Sequence, residues 1–491
     1  MPATSLKVIP TPKQVVGETE EGKFHYSSIQ PFFCAPGKFE QEAKIFAEAA
    51  KKIYTVSWTE GCGGVELIEE NTLREDAYRL EIHPHRAKLF ASGREGVSYG
   101  LATLLQIMEK RQGKLYLPQV TVEDHPDCAY RTLMIDLARK WHEFEAVLGY
   151  VDLCYLYKIK YLHLHFMDIQ SCTLPSETFP RMSTPGRHYT KEQIAQLNAY
   201  AMARGVELIP EIEVPGHARA MVEAYPELFA VEVENAEDVE KVNFDIISVG
   251  RPGVMDQLRK LVQEVMEMFP HSRYLHIGGD EAKIQTWESC VHCKKYMQEQ
   301  KIDGVRALYS HFIQRMTDMV LSMGRTPVVW EGFPKEGSEG ISRKVVVIAW
   351  ESLYQLAPDL LEGGFSIVNG SWKPLYIVPL PFKVSWGEKF KKDSHRWGAE
   401  EILAWNIYNW QNWWKKSPAH LNPIHVPPTD RVLGGQLSAW ECTYEQELPR
   451  VKENLAALSE RTWNIVRYLE DDEFRTKLYH VLRRADKLLE P

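Results

Sequence analysis

From Tyr130 onward the chain repeats one unit, a short apolar run that reads as a strand followed by a stretch of helical periodicity. Eight candidate strands can be counted: Thr132–Leu137, Ile159–Phe166, Val206–Ile212, Tyr274–Ile277, Pro327–Trp330, Lys344–Trp350, Ser366–Asn369 and Leu433–Trp440. Most gaps hold helical stretches, such as Lys191–Arg204, Gly253–Phe269 and Gly304–Met323. Eight strands with crossover helices are the arithmetic of a (β/α)8 barrel, so the predicted fold class is α/β, a TIM barrel. Two amphipathic helices, Glu447–Glu470 and Asp472–Glu490, close the chain.

The 491 residues exceed one ordinary domain, and the first 125 look separate. Leu6 to Pro12 is a short edge-like segment limited by its prolines. Phe39–Tyr54 is helical, Tyr78–Ile82 alternates like a strand, and Ala87–Ser92 pairs with it across a polar turn. Gly96–Lys110 reads as a helix with Leu101, Leu104, Leu105 and Met108 on one face. This predicts a small α+β domain over 1–125 ahead of a barrel domain over 126–491, with the boundary near Glu123-Asp124-His125-Pro126. One segment, Trp372 to Pro428, is too long for a simple barrel connection and holds Trp372, Trp386, Trp397, Trp405, Trp410, Trp413 and Trp414. Long loops in compact domains are usually functional, and the competing expectation is a loop that anchors itself on the barrel through its own aromatics.

A net charge of −9 gives no electrostatic reason to expect nucleic acid or an anionic membrane as partner. No stretch is apolar for long enough to span a bilayer, and Met1 to Pro12 has no signal-peptide core. The eight cysteines fall at irregular spacings, which suggests reduced thiols and a cytoplasmic protein.

A barrel assembles its active site from the carboxyl ends of its strands. Strand one starts at Arg131 and carries Asp136 near its end; strand two ends in Asp168; strand three supplies Glu211, Glu213 and His217. Strand four delivers Asp280 and Glu281 through the glycines of His276-Ile277-Gly278-Gly279-Asp280-Glu281-Ala282. The plainer role for that pair is Asp280 capping a helix and Glu281 filling its first turn. Strands five, six and eight end Trp330-Glu331, Trp350-Glu351 and Trp440-Glu441, and Trp372 and Tyr376 lie just past strand seven. Tryptophan faces beside carboxylates suit a sugar, since flat apolar surfaces pack on pyranose C–H groups while charged groups bind hydroxyls.

Retaining glycosidases with an enzyme nucleophile place two carboxyls roughly 5–5.5 Å apart across the scissile bond. Neighbouring residues such as Asp280 and Glu281 have Cα atoms about 3.8 Å apart and leave one rim position together, so they are poorly placed to flank an anomeric carbon. A substrate that brings its own nucleophile removes the difficulty.

Over nearly its whole length the chain resembles glycoside hydrolase family 20, the β-N-acetylhexosaminidases. Val8-Ile9-Pro10-Thr11-Pro12 and Gly96-Val97-Ser98-Tyr99-Gly100-Leu101 resemble the family's non-catalytic N-terminal domain. Tyr130 to Asp136, Glu211-Ile212-Glu213-Val214-Pro215-Gly216-His217 and His276 to Ala282 resemble its barrel motifs. The resemblance implies an exo-acting, retaining enzyme that releases terminal GlcNAc or GalNAc from β-linked glycans or glycoconjugates through an oxazolinium intermediate, with no metal or other cofactor. It implies Glu281 as general acid and then base, Asp280 as the residue orienting the 2-acetamido group, and Tyr376 as donor to its carbonyl oxygen. Arg131 would hold O3 and O4, and Trp330, Trp350 and Trp440 would wall the acetamido pocket. Asp168, Glu213 and His217 would support the acid. Three positions depart from the family: Ile169 follows Asp168 where a second aspartate is frequent, Val378 replaces an aspartate, and Glu441 follows Trp440 directly instead of one residue later. The last two positions ordinarily contact O4 and O6.

Two other function classes compete. His163-Leu164-His165 puts two imidazoles on one strand face, and with His217, His276 and Asp280 it could form the site of a metal-dependent barrel hydrolase. A catalytically silent glycan-binding protein would keep the tryptophans but has no need of a general acid. Cys290-Val291-His292-Cys293 is a CxxC without a second pair, for which a structural pair of thiols is the first expectation and redox or zinc chemistry the lesser one. Oligomeric state is not legible.

Overall fold

The computed structural model describes residues 5–19, 22–35, 37–234, 242–379 and 397–490. Eight parallel strands close into a barrel: β1 (Tyr130–Asp136), β2 (Tyr161–His165), β3 (Glu207–Glu211), β4 (Tyr274–His276), β5 (Thr326–Trp330), β6 (Val346–Ala349), β7 (Ser366–Asn369) and β8 (Val432–Ala439). Ring closure comes from β8 pairing with β1, Gly434 opposite Tyr130 through Ala439 opposite Ile135. β1 and β2 are buried along their full length because helices such as Phe144–Leu156 cover them outside and side chains fill the interior. Between β5 and β6 the connection carries only the 3-10 turn Ser338–Gly340.

Inward side chains stack in layers. Tyr130, Tyr161 and Tyr274, with ring centroids 5.0–5.7 Å apart, close the amino-terminal end. Above them lie His163, His276 and Glu211, all fully buried. Trp330 covers this polar layer, its ring 5.7 Å from that of His163.

Ahead of the barrel, a seven-stranded mixed sheet and the helices Glu40–Tyr54 and Arg94–Ile107 form the α+β unit. The second helix ends at Ile107, short of the expected Lys110, which lies in the strand Glu109–Arg111. No strand forms over Leu6–Pro12; the edge strand is Gln14–Val16. The closing helices Tyr444–Trp463 and Asp471–Leu489 join the two parts: Arg484 donates to Met108 O at 2.8 Å and Lys477 to Thr11 Oγ1 at 3.3 Å. Among the described residues no helix is long and apolar enough to cross a membrane.

The Trp-rich segment anchors itself on the barrel. The indoles of Trp397, Trp405 and Trp410 are buried and donate to the carbonyls of Tyr376, Asn409 and Ala349. Trp372 instead reaches the barrel mouth, with Trp413 packed edge-on against it at 5.0 Å. Trp386 lies outside the described residues.

Candidate active site

Past β4 the chain turns through Gly278 and Gly279, with φ of +69° and +98°. A Cβ on Gly278 would stand 1.7 Å from a carboxylate oxygen of Glu213, so only glycine lets the backbone cross this buried acid. The turn brings Asp280 and Glu281 side by side into a pocket at the carboxyl ends of the strands. Trp330, Trp350, Trp372, Tyr376 and Trp440 form its aromatic walls, and Arg139, Val378 and Glu441 complete them.

Two of the tryptophan walls are fixed from behind. The Trp330 indole donates to Glu211 Oε1 at 2.6 Å and that of Trp350 to the Glu331 carbonyl at 2.9 Å. The Tyr376 ring lies parallel to Trp350 (4°) with centroids 6.1 Å apart. Its backbone extends alongside β8, Tyr376 opposite Ser438. Burial and the nearby charge of Asp280 push the Tyr376 hydroxyl far above its ordinary pKa, which keeps it a hydrogen-bond donor.

The two carboxylates differ in surroundings. Burial raises Asp280 to about 6, against the pull of His217. Burial also acts on Glu281, but the hydrogen bond and charge of His217, aided by Lys283 and Arg139, hold it below the usual range. His217 Nδ1 lies 3.2 Å from Asp168 Oδ1, and although burial opposes it, the charge and hydrogen bond of Asp168 together with Glu281 and Asp280 keep the imidazole protonated. Asp168 is fully buried and also takes His165 Nε2 at 2.9 Å and Arg139 Nη2 at 2.7 Å. It therefore stands behind the pocket, with His217 reaching forward from it. Glu213 lies behind the Gly278 turn, held protonated by burial and by the charge of Asp280.

Arg131 is not at this site. It enters β1 at the opposite end of the barrel, fully buried, where it donates to Cys128 O at 2.6 Å, Lys158 O at 3.1 Å and the Tyr99 hydroxyl. Its guanidinium packs over Tyr99 and Trp463 and joins the barrel to the α+β unit. The arginine of the pocket is Arg139, three residues past Asp136, which it meets at 3.2 Å. It lies 5.0 Å over the Trp440 ring. Asp136 also accepts the backbone N–H of Glu441 at 3.1 Å, and Glu441 takes a left-handed φ of +58°. Arg139 is the wall residue that sequence reasoning missed, although it was available to the same strand-exit rule that selected Asp168; Trp372 and Val378, both read as lying past strand seven, do line the pocket.

The repeated Trp-Glu pairs diverge in role. Glu331 turns away and accepts the backbone N–H groups of Trp350, Ser352, Leu353 and Tyr354 at 2.8–3.2 Å, pinning the loop after β6. Glu351 is buried, raised to about 9 by burial and by the nearby Glu281, Glu331 and Asp280, and so stays neutral. Only Glu441 faces the pocket.

Among the described residues three trios have the reach to hold an ion, each with ligand atoms within 4.8 Å of one another: His163, Glu211 and His276 and, beside it, His165, Glu211 and Glu213 inside the barrel, and His217, Asp280 and Glu281 at its mouth. The metal set anticipated from the histidine spacing is thus split between two levels, with His163 and His276 below the floor and His217 above it. His165 bridges Glu211 and Asp168 through its two nitrogens.

Residues 128–465 match the family described as glycosyl hydrolase family 20, catalytic domain, and residues 5–125 match its domain 2. The chain is 27% identical over 464 residues to a beta-hexosaminidase of Vibrio furnissii, covering 89% of this chain and 73% of the relative. A beta-hexosaminidase of Akkermansia muciniphila is 28% identical over 434 residues, 84% of each chain. Among solved structures, the GH20 exo beta-N-acetylglucosaminidase of Vibrio harveyi in complex with N-acetylglucosamine aligns with a TM-score of 0.81 at 22% identity, over 99% of this chain and 78% of the other. The beta-N-acetylhexosaminidase of Bacteroides fragilis aligns at 0.79 and 22% identity, over 96% and 94%. At these identities the structural likeness speaks for the fold.

Proposed function

The chain belongs to glycosyl hydrolase family 20 and is a glycoside hydrolase of the β-hexosaminidase type, and from that premise we propose that it releases terminal GlcNAc or GalNAc from β-linked glycans by a retaining, substrate-assisted reaction. The observation that carries this reading is the placement of Asp280 and Glu281 on one side of an aromatic pocket, with Tyr376 and Trp350 forming part of its wall.

In the proposed reaction Glu281 donates its proton to the glycosidic oxygen while the acetamido carbonyl oxygen attacks C1. The bond from C1 to the leaving oxygen breaks and a cyclic oxazolinium forms. Asp280 accepts the acetamido N–H and balances the positive charge, and the Tyr376 hydroxyl donates to the attacking oxygen. The aromatic walls hold the acetamido methyl against them, which keeps the nucleophile near C1. Water then attacks C1, Glu281 takes its proton, and the acetamide is regenerated with the configuration retained. Arg139 and Glu441 are the groups we assign to the sugar hydroxyls, Arg139 taking the role that the family resemblance implied for Arg131. Asp168 and His217 act through Glu281, and Glu213 supports the turn. The described residues within 1–125 supply no lining of this pocket, and the segment is taken as a non-catalytic domain. The scheme calls for no cofactor, and the free cysteines support a reducing, cytoplasmic setting.

Hydrolysis of aryl β-GlcNAc, β-GalNAc and plain β-glucoside, with and without chelator, tests the proposal. Release confined to the acetamido sugars and indifferent to chelator is the expected result. Equal release from the plain glucoside would overturn substrate assistance, and loss on chelation would favour one of the ion-holding trios. Binding of N-acetylhexosamine without turnover of any of them would favour the silent glycan-binding alternative.

A further inference from the structure

The Cys290-Val291-His292-Cys293 motif takes no part in the chemistry above, and its geometry is more specific than burial of two thiols requires. Cys290 caps the helix Val291–Gln300, its Sγ accepting the backbone N–H of Cys293 at 3.4 Å. The hydroxyl of Ser248 lies 3.1 Å from Cys290 Sγ and 3.7 Å from Cys293 Sγ, so one oxygen spans both sulfurs. The loop bearing Ser248 is pressed onto the motif: a Cβ on Gly250 would meet His292 O at 2.6 Å and Cys293 Cα at 2.7 Å. That loop also braces the segment descending from the catalytic pair, because the Trp287 indole donates to Ile247 O at 2.9 Å.

The two sulfurs are electrostatically unlike. Hydrogen bonds from the Cys293 thiol, the Ser248 hydroxyl and backbone N–H groups pull the Cys290 thiol below its ordinary pKa, against burial. Cys293, as the donor to Cys290, is pushed up. The solitary buried cysteines go the other way: burial raises Cys128, Cys154, Cys172 and Cys442. Both side chains are fully buried, so the oxidant that reaches them has to be small; a sulfur held at a helix amino terminus with a second thiol one turn away is then a nucleophile beside its resolving partner.

We propose that Cys290 and Cys293 form a redox-active dithiol, which a hydroperoxide converts to an intrachain disulfide. Cys290 sulfur attacks one peroxide oxygen, the O–O bond breaks, and the departing hydroxide is neutralised by the proton Cys290 released, leaving a sulfenic acid. Cys293 sulfur then attacks Cys290 sulfur; the S–O bond breaks and hydroxide leaves, taking the Cys293 proton as water. Two thiols lose two electrons and two protons, and hydrogen peroxide is reduced to two waters.

The test uses the reduced full-length protein, treated with hydrogen peroxide, quenched, denatured, alkylated with N-ethylmaleimide and digested with trypsin. One tryptic peptide, Ile284 to Lys294, carries both cysteines. The expected product is that peptide two hydrogens lighter, without maleimide, and restored to double alkylation by dithiothreitol. In Cys293→Ser the disulfide cannot close, and Cys290 is expected as a sulfenic acid trapped by dimedone. Double alkylation at the untreated level would overturn the proposal, as would oxidation of Cys290 to the sulfinic acid with Cys293 still alkylated. Both readouts on the wild-type chain are independent of hexosaminidase activity.

Discussion

The imidazole Nε2 of His217 lies 3.3 Å from Oε2 of Glu281. Asp168, itself buried and tied to Arg139, keeps that imidazole charged from its other side. A charged imidazole favours the Glu281 anion, so in the free site the shared proton settles on Asp280. The proposed reaction needs the opposite arrangement. A bound acetamide supplies it, since its N–H donates to Asp280 and favours that anion, while the glycosidic oxygen accepts from protonated Glu281. The pair works while it holds one proton, and its two ionisations belong to the pair jointly.

This fixes a pH profile. Below the lowered pKa of Glu281 the pair holds two protons and Asp280 cannot act as an anion. Above the raised value of about 6 it holds none and the general acid is gone. Accordingly kcat/KM is expected to rise through the acid limb below the usual carboxylate range and to fall above pH of about 6. The fall in kcat should lie at higher pH, because the bound glycosidic oxygen stabilises protonated Glu281. A kcat/KM that stays level from pH of about 5 to about 8 would contradict this account.

Glu281→Gln keeps the side chain's size and removes its proton transfer. Turnover of an alkyl or sugar glycoside is expected to fall by about 10²–10⁴ with the fold intact. An aryl glycoside with a good leaving group should suffer less in the bond-breaking step. Measurement of kcat for both substrates on one preparation distinguishes this from general loss of structure, which would lower them alike.

Asp280→Asn removes the charge opposite the oxazolinium. A loss on the order of 10²–10³ in kcat on acetamido substrates is expected, as for removal of a preorganised stabiliser of developing charge. The same substitution takes away the group that holds the proton in the free enzyme, so the alkaline limb of kcat/KM, at about 6, should also move.

The two arginines of the first strand segment should separate in their kinetics, although Arg139→Met also takes a partner from the buried Asp168 and Asp136. Arg139→Met is expected to cost about 10- to 100-fold in kcat/KM, the worth of a charged hydrogen bond to substrate. Arg131→Met, which strips a buried charge from the Cys128 and Lys158 carbonyls, should lower stability by about 3–5 kcal/mol with KM of the folded enzyme unchanged. Denaturant unfolding and steady-state kinetics on both variants give the comparison.

Much of this architecture was legible because barrel strands buried on both faces are continuous apolar runs, as in Thr132–Leu137 and Lys344–Trp350. Asp280 and Glu281 were legible because two glycines at a strand exit leave few other conformations. Arg131 misled because it sits in the same strand as Asp136, yet at that strand's start, which places it at the amino-terminal end where barrels are built for stability. Arg139 follows the strand exit and faces the pocket. The Trp-Glu repeats misled in another way: local sequence cannot show that Glu331 folds back onto four backbone N–H groups while Glu441 stays in the pocket wall. Trp372, three residues past β7, obeys the strand-exit rule, whereas Trp413 comes to pack on it only because the long segment folds back over the barrel mouth, a tertiary event with no local signature.

The most direct test of the central claim replaces the substrate's nucleophile. Aryl β-glycosides of GlcNAc carrying acetyl, fluoroacetyl, difluoroacetyl and trifluoroacetyl groups on nitrogen differ chiefly in the electron density of the amide oxygen. If that oxygen attacks C1 while Asp280 and Tyr376 hold the amide, kcat/KM falls steeply with each added fluorine. A rate that does not change across the series would mean that the enzyme, not the substrate, supplies the nucleophile.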